Sequence, residues 1–245
     1  MKDVIDFIRM IVLLIRVIFH TIVFAIGLCF LPYFVWKHYE DQKKRSAEVS
    51  FVARKMGWTL DQSLDRGMDR VYRFLRKVKG SRRYALNVIS GRSHGHSITL
   101  FEYHYQRYFK CRSYEFSKYI EHNYISYFVL DLEKDFPILT VKEERPRSRV
   151  LARIGDALGR GDIDFESHEF SEAYDVRGSD KKFAYDFCNT TMIEYLLERI
   201  SVPIEVEDNV LAISVPDQVD LTDIESPLKH LANIRARMPK YLFAN

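Results

Sequence analysis

Three rhythms of apolar and polar residues follow one another along this chain, and the first is an unbroken apolar run. From Val17 to Trp36 the sequence reads VIFHTIVFAIGLCFLPYFVW, with one histidine and no formal charge. At about 1.5 Å per residue, a helix of that length crosses a hydrocarbon core of roughly 30 Å, so the run is expected to be a membrane span. Arg16 stands at its doorstep and can snorkel to the headgroups along its own methylene stem. Tyr33, Phe34 and Trp36 gather at the far end, where amphipathic rings favour the interface, and Pro32 can kink the last turn. The chain therefore divides into an anchor over 1–36, a basic juxtamembrane helical segment over 37–82 and a further domain over 83–245.

The second rhythm is helical. Val49, Val52, Ala53 and Met56 share one face of a short helix over Ser46–Gly57. A helix from about Asp61 to Val78 would bury Leu64, Met68, Val71, Tyr72 and Leu75, and would gather Arg66, Arg70, Arg73 and Lys77 into a separate stripe. Such a stripe, close to a membrane anchor, can rest on anionic headgroups. The same pattern also describes a core helix whose outer face is merely solvated.

At Tyr84 the rhythm becomes alternating. Tyr84, Leu86 and Val88 point one way, Gly91 to Gly95 turn the chain, and Ile98 and Leu100 meet them across a hairpin. Tyr108–Phe116, Ile125–Leu132 and Phe136–Val141 predict further strands of an antiparallel meander, before a charged loop around Pro146. A helix carrying Val150, Ile154 and Leu158 follows, then short strands at Ile163–Phe165 and Tyr174–Val176. Ser179 or Asp180 and then Asn189 are expected to cap two helices, Pro203–Val206 and Val210–Val215 to form a hairpin, and Ser226-Pro227 to open a last helix stopped by Pro239. The fold class is α+β: an N-terminal transmembrane helix followed by an antiparallel sheet with packed helices.

Charge orients the anchor. Residues 1–100 hold 18 basic and 8 acidic side chains, whereas residues 101–245 hold 19 and 26, so the net charge of +3 conceals a basic half next to the membrane. Six of those cations, from Lys37 to Lys55, follow the span, against Lys2, Arg9 and Arg16 before it, and this bias places the C-terminal domain in the cytoplasm. A secretory signal peptide cut near Ala25-Ile26-Gly27 is the competing reading, but Arg16 interrupts its apolar stretch and hydrophobicity continues past the cut. The cysteines Cys29, Cys111 and Cys188 are odd in number and scattered, which suits a reducing compartment.

Motifs that could carry chemistry are weak. Gly91-x-Ser93-x-Gly95 matches a nucleophile elbow, with Asp220 and His230 in order behind it, yet a strand rather than a helix follows the second glycine. His94, His96 and His104 are evenly spaced for one face of a strand, with Glu102 between them, but His96 and His104 stand about 26 Å apart on an extended strand, too far to share a metal. Asp162, Asp164 and Glu166 begin like a calcium loop, although Ser167 takes the place of its glycine and Ala173 that of its bidentate glutamate. His20 reads as a neutral histidine near the interface.

The succession Gly57-Trp58, Asn87-Val88-Ile89-Ser90-Gly91, Gly95, Leu100-Phe101-Glu102-Tyr103-x-Tyr105, Phe165-Glu166-Ser167-x-x-Phe170-Ser171 and Tyr174 resembles a family of uncharacterised prokaryotic membrane-anchored proteins. The resemblance spans roughly Met56 to Ile200 and implies one α+β domain of unassigned activity, without catalytic residues to carry over. Together these features predict a single-pass membrane protein whose cytoplasmic domain is a binding or scaffolding module rather than an enzyme. Neither a cofactor nor nucleic acid is expected; the bilayer is the expected partner through residues 17–36, while contact with anionic headgroups and with a protein partner stays open. A membrane-tethered hydrolase using Ser93 or a histidine site, and a lipid sensor using Arg66, Arg70, Arg73 and Lys77, are the alternatives.

Overall fold

In the computed structural model the described residues are 2–110, 118–143, 163, 165–198 and 202–244. They form two compact units, Met1–Val49 and Ser50–Asn245. Cys111, the far end of the strand expected at Tyr108–Phe116, the loop around Pro146, the helix of Val150, Ile154 and Leu158, and Asp162 and Asp164 lie outside the described residues.

Helix α1 runs from Lys2 to Met56 with Pro32 inside it. The separate helix expected at Ser46 is its continuation, because no glycine or proline interrupts Lys37–Met56. It ends where backbone chemistry requires. Gly57 takes φ +70°, its N–H bonds the Arg54 carbonyl at 3.1 Å, and the Trp58 N–H reaches back to Ala53 at 2.9 Å. This is the paired-bond stop that a left-handed glycine provides. Among the described residues, no helix is long and apolar enough to cross a membrane. Ile26, Cys29, Leu31, Phe34 and Val35 of the Val17–Trp36 run are outside the side chains so described.

The second unit is α+β with an antiparallel sheet. Strand β1 (Thr59–Asp61) pairs with β2 (Ser81–Ser93), β2 with β3 (His96–Lys110), and β3 with β4 (Lys118–Glu143). Farther along, β4 pairs with β5 (Tyr174–Gly178), while β6 (Ile204–Pro216) lines its other edge. The two strands expected at Ile125 and Phe136 are one bent strand, and the hairpin expected around Asp208-Asn209 is one strand as well. Glu133 at φ +63° in β4 and Asp208 at φ +51° in β6 absorb the bend as bulges instead of turns, and the register slips there between Asp131 and Leu139.

The helix expected over Asp61–Val78 is broken. Helix α2 covers only Met68–Val71, Tyr72 is extended at φ −114° and ψ +101°, and a 3₁₀ turn follows over Arg73–Lys77. Tertiary packing wins over periodicity here. The break lets Phe74 and Leu75 sink into one sheet face with Met68, Phe101, Tyr103 and Tyr127, and Tyr72 stacks on Phe101 with centroids 5.6 Å apart.

Downstream, α3 (His168–Ala173), α4 (Lys181–Phe187), α5 (Thr190–Leu197) and α6 (Glu225–Arg237) surround the sheet's other parts. Ser167, Asp180 and Asn189 cap the first three, each accepting from the backbone N–H three residues on. Among the described residues of that stretch Tyr174–Gly178 is a strand, and the Ile163 N–H donates to its Val176 carbonyl at 3.0 Å. Helix α6 buries Leu228, Leu231 and Ile234 as its spacing predicts and packs on β4 and β6.

Candidate functional site

Strand alternation sorts β3 into two faces. Phe101 and Tyr103 point to the aromatic core, with Tyr105 buried on the same side, which leaves Leu100, Glu102, His104 and Gln106 on the opposite face. Three consecutive positions of that face are polar and buried: Glu102 is 0% exposed, His104 1% and Gln106 5%. Buried polar groups require partners, and the neighbouring strands and the β6–α6 connection supply them for Glu102 and His104, whereas Gln106 Oε1 is buried without a hydrogen bond.

For Glu102 the partners are amides. Its Oε2 accepts from Asn87 Nδ2 at 2.8 Å and from Gln218 Nε2 at 3.3 Å. Asn87 stands at φ +52°, where β2 slips its register against β3 between Leu86 and Ile89. The bulge thus places a short polar side chain against the carboxylate. Gln218 arrives from the β6–α6 connection, which is itself fastened to β4. Ser126 Oγ donates to the Asp217 carbonyl at 2.9 Å, and the Asp217 N–H to the Tyr124 carbonyl at 3.0 Å.

For His104 the partners are a carbonyl and a second imidazole. Its Nδ1 lies 3.2 Å from the Arg82 carbonyl and so carries the proton, leaving Nε2 to accept from His122 Nδ1 at 3.0 Å. Tyr84 stacks on the ring at 4.4 Å and Tyr124 meets it edge-on at 5.1 Å. Burial holds the His104 pKa below the ordinary histidine value; the Arg82 carbonyl opposes this and His122 adds to it. The seam therefore joins a buried imidazole, His104, to an exposed one, His122. Its chemistry is to hold a proton and to fasten strands. Its one signal in the sequence is three polar residues at alternate positions, Glu102, His104 and Gln106, in a strand otherwise made of core residues.

A second polar cluster joins the 3₁₀ turn to β6 and β4. Glu205 and Glu207 are 7% and 4% exposed. Glu205 accepts from Lys77 Nζ at 2.7 Å and Thr140 Oγ1 at 2.6 Å, and Lys142 Nζ stands 3.0 Å away. Arg73 pairs with Glu207 and Asp208, both at 2.7 Å. Of the four residues of the basic stripe, then, Arg73 and Lys77 face acids of β6, whereas Arg66 and Arg70 are exposed. With the helix broken at Tyr72, the four do not form one continuous stripe.

Ser93 closes β2 at a hairpin whose turn residues, His94 and Gly95, have φ +52° and +86°. Two left-handed residues are what a two-residue hairpin turn needs. Ser93 Oγ lies 2.8 Å from His94 Nδ1, and His94 Nε2 is 3.9 Å from the exposed Glu225 carboxylate. Asp220 accepts from Thr222 and His230 Nδ1 meets the Tyr195 hydroxyl at 2.8 Å, each engaged away from Ser93. His96 pairs across the turn with Ser93 in the strand register, and burial lowers its pKa. No group of three or more metal-ligating side chains converges among the described residues.

A groove of about 590 Å³ lies beside α4 and α5, lined by Phe165, Tyr185, Cys188, Ile193 and Leu197 among others. Cys188, 3% exposed, has its thiol pushed up to about 12 by burial, so it carries no nucleophilic thiolate at neutral pH.

These features define an antiparallel α+β domain with two buried polar seams. No family model matches the chain, and no curated protein does. Among solved structures the chain is similar to mycobacterial trehalose monomycolate transport factor A, TtfA, with a TM-score of 0.51 over 78% of this chain and 92% of that one. At 10% identity, the likeness is one of fold.

Proposed function

We propose that this chain is a single-pass membrane-anchored protein whose second unit is a non-catalytic binding or scaffolding module at the cytoplasmic face. The observation that carries the reading is the surface of α1. Phe19 is 64% exposed, Ile22 53%, Phe24 69% and Phe30 55%, within a run that carries no formal charge. In water such a surface is costly, about 25 cal/mol per Å² of apolar area, and a bilayer removes that cost. The cations from Lys37 to Lys55 support the cytoplasmic orientation. TtfA is by name a transport factor; a tethered accessory module is compatible with that kind of role. Alkaline carbonate extraction of membranes, paired with protease treatment of intact cells, tests the reading. Retention in the pellet with a protected C-terminal unit supports it, and a soluble or externally cleaved unit refutes it.

The hydrolase alternative has one observation in its favour, the 2.8 Å contact between Ser93 and His94. Its position on a hairpin turn, with His94 exposed, weighs against it, because an acyl-transfer site needs oriented donors and excluded water. Labelling of Ser93 by a fluorophosphonate, lost in Ser93→Ala, would restore that reading. Lipid sensing through the basic stripe rests on Arg66 and Arg70, the two exposed cations not seated on β6. Charge reversal at both would weaken vesicle binding without unfolding the domain if they serve that purpose.

A further inference from the structure

Among the described residues, the paired strands β3 and β4 extend past the sheet that contains them. Pairing of β2 with β3 ends at Gln106, and pairing of β6 with β4 ends at Ser126, with Asp217 bridging Ile125. Beyond these, the register sets Arg107 opposite Glu121, Tyr108 opposite Ile120, Phe109 opposite Tyr119 and Lys110 opposite Lys118. No third strand joins these four pairs among the described residues. A two-stranded ribbon is marginal in water, and two lysines at directly paired positions weaken it further.

Each face of this ribbon displays a large apolar side chain. Tyr108 is 55% exposed and Ile120 48% on one face, while Phe109 is 37% exposed on the other. The register sets two lysine positions, Lys110 and Lys118, opposite each other beyond them, and Arg107, whose guanidinium lies 5.2 Å from the centre of the Tyr105 ring, opposite Glu121. A protein surface laid on the ribbon covers one face only. The interfacial zone of an anionic bilayer accommodates both, because rings settle among headgroups and acyl ends while cations meet phosphates. Both edges still present backbone N–H and C=O groups that need water or phosphate, so the ribbon goes no deeper than that zone.

We propose that the β3–β4 ribbon, through Tyr108, Phe109, Ile120 and its flanking cations, is a second membrane contact that docks the anchored module onto anionic lipid headgroups. The proposal rests on the anchoring by α1 proposed above, and it places the lipid contact on a different element from the basic stripe.

The test uses the full chain reconstituted into phosphatidylcholine vesicles with or without phosphatidylglycerol, carrying brominated acyl chains as quenchers. Phe109→Trp and, on the opposite face, Ile120→Trp each add one reporter, and either serves if the other fails to fold. The expected result is a blue shift and quenching of the added emission when phosphatidylglycerol is present. In the Lys110→Glu/Lys118→Glu background the quenched fraction should fall at least about tenfold, as expected for reversing charge at an anionic surface. The quenching that disappears in Trp36→Phe reports the anchor separately. If Trp36 is quenched and neither added tryptophan is, the ribbon proposal is overturned while the anchor stands; a reporter that blue-shifts without quenching points to a protein partner and overturns it equally. If Trp36 is not quenched, the anchor reading fails and the proposal falls with it.

Discussion

Trp58 lies flat against Gly91, so closely that a Cβ built on the glycine would stand 2.2 Å from the indole ring. The glycine of the apparent nucleophile elbow is thus a packing position, required because the chain places the indole there immediately after the stop of α1. Gly91→Ala should destabilise the second unit by about 2–3 kcal/mol, the usual cost of overpacking a site that cannot yield. In Gly91→Ala/Trp58→Ala the clash is gone, so the double variant should lose less than the sum of the singles. Denaturant titration of the four proteins measures the coupling, and strict additivity would refute the contact.

Glu102 is held by two amides rather than left to solvent. Glu102→Leu removes the acceptor that Asn87 and Gln218 share, stranding the buried donor of Asn87, and should cost about 2–3 kcal/mol. Glu102→Gln keeps the volume and one acceptor oxygen and should lose less. Equal losses for the two variants in urea titrations would show that volume, not the hydrogen bonds, matters there.

His104 predicts an acid-sensitive fold. Its folded pKa lies below the unfolded value of about 6.5, so between the two the unfolded chain binds more protons. Stability from this group is fully present above about pH 6.5 and is lost as pH falls towards the folded pKa. A plot of unfolding free energy against pH should therefore slope downward to acid in this window. His104→Phe should flatten that slope even though it lowers stability overall; an unchanged slope would assign the effect to other groups.

Glu205 gathers Lys77, Thr140 and Lys142 on one carboxylate. Because both lysines are roughly half exposed, solvent screens part of each pairing. Glu205→Ala should still cost about 2 kcal/mol, since the buried acceptor of the Thr140 hydroxyl is lost as well. Thermal unfolding monitored by circular dichroism would show it as a lowered Tm, with a smaller drop for Lys142→Ala.

Cys188 should resist alkylation. With its thiol pushed up to about 12 and its side chain buried, iodoacetamide at mildly alkaline pH should leave it intact in the folded chain and modify it in denaturant. Mass mapping of the Cys188 peptide distinguishes the two states. Rapid native labelling would mean that the groove beside α5 opens.

Much of the local structure was legible because short-range physics determines it. Gly57 ends α1, Asp180 and Asn189 cap the helices expected of them, and His94-Gly95 turns the first hairpin, each through bonds within a few residues. The apolar spacing of Leu228, Leu231 and Ile234 likewise foretold the buried face of α6. Where the chain chose between local rhythm and distant partners, the tertiary structure decided. Arg66 to Lys77 has a helical period, yet it breaks at Tyr72 because stacking on Phe101 and pairing with Glu205 and Glu207 outweigh a few helical hydrogen bonds. Asp208-Asn209 has the composition of a turn, yet it is a bulge because β6 must follow the bend of β4.

The pairing of His104 with His122, or of Glu102 with Asn87 and Gln218, joins residues 15 to 116 positions apart. No periodicity encodes such distances. The sequence by itself determined the apolar run of α1, the α+β class and those element ends that a glycine or a capping side chain sets, such as Gly57, Asp180 and Asn189, because those follow from local backbone chemistry and the alternation of apolar positions. Only the tertiary structure decided which polar residues are buried together, because strand register and chain bending bring them into contact, and neither is a property of any short stretch.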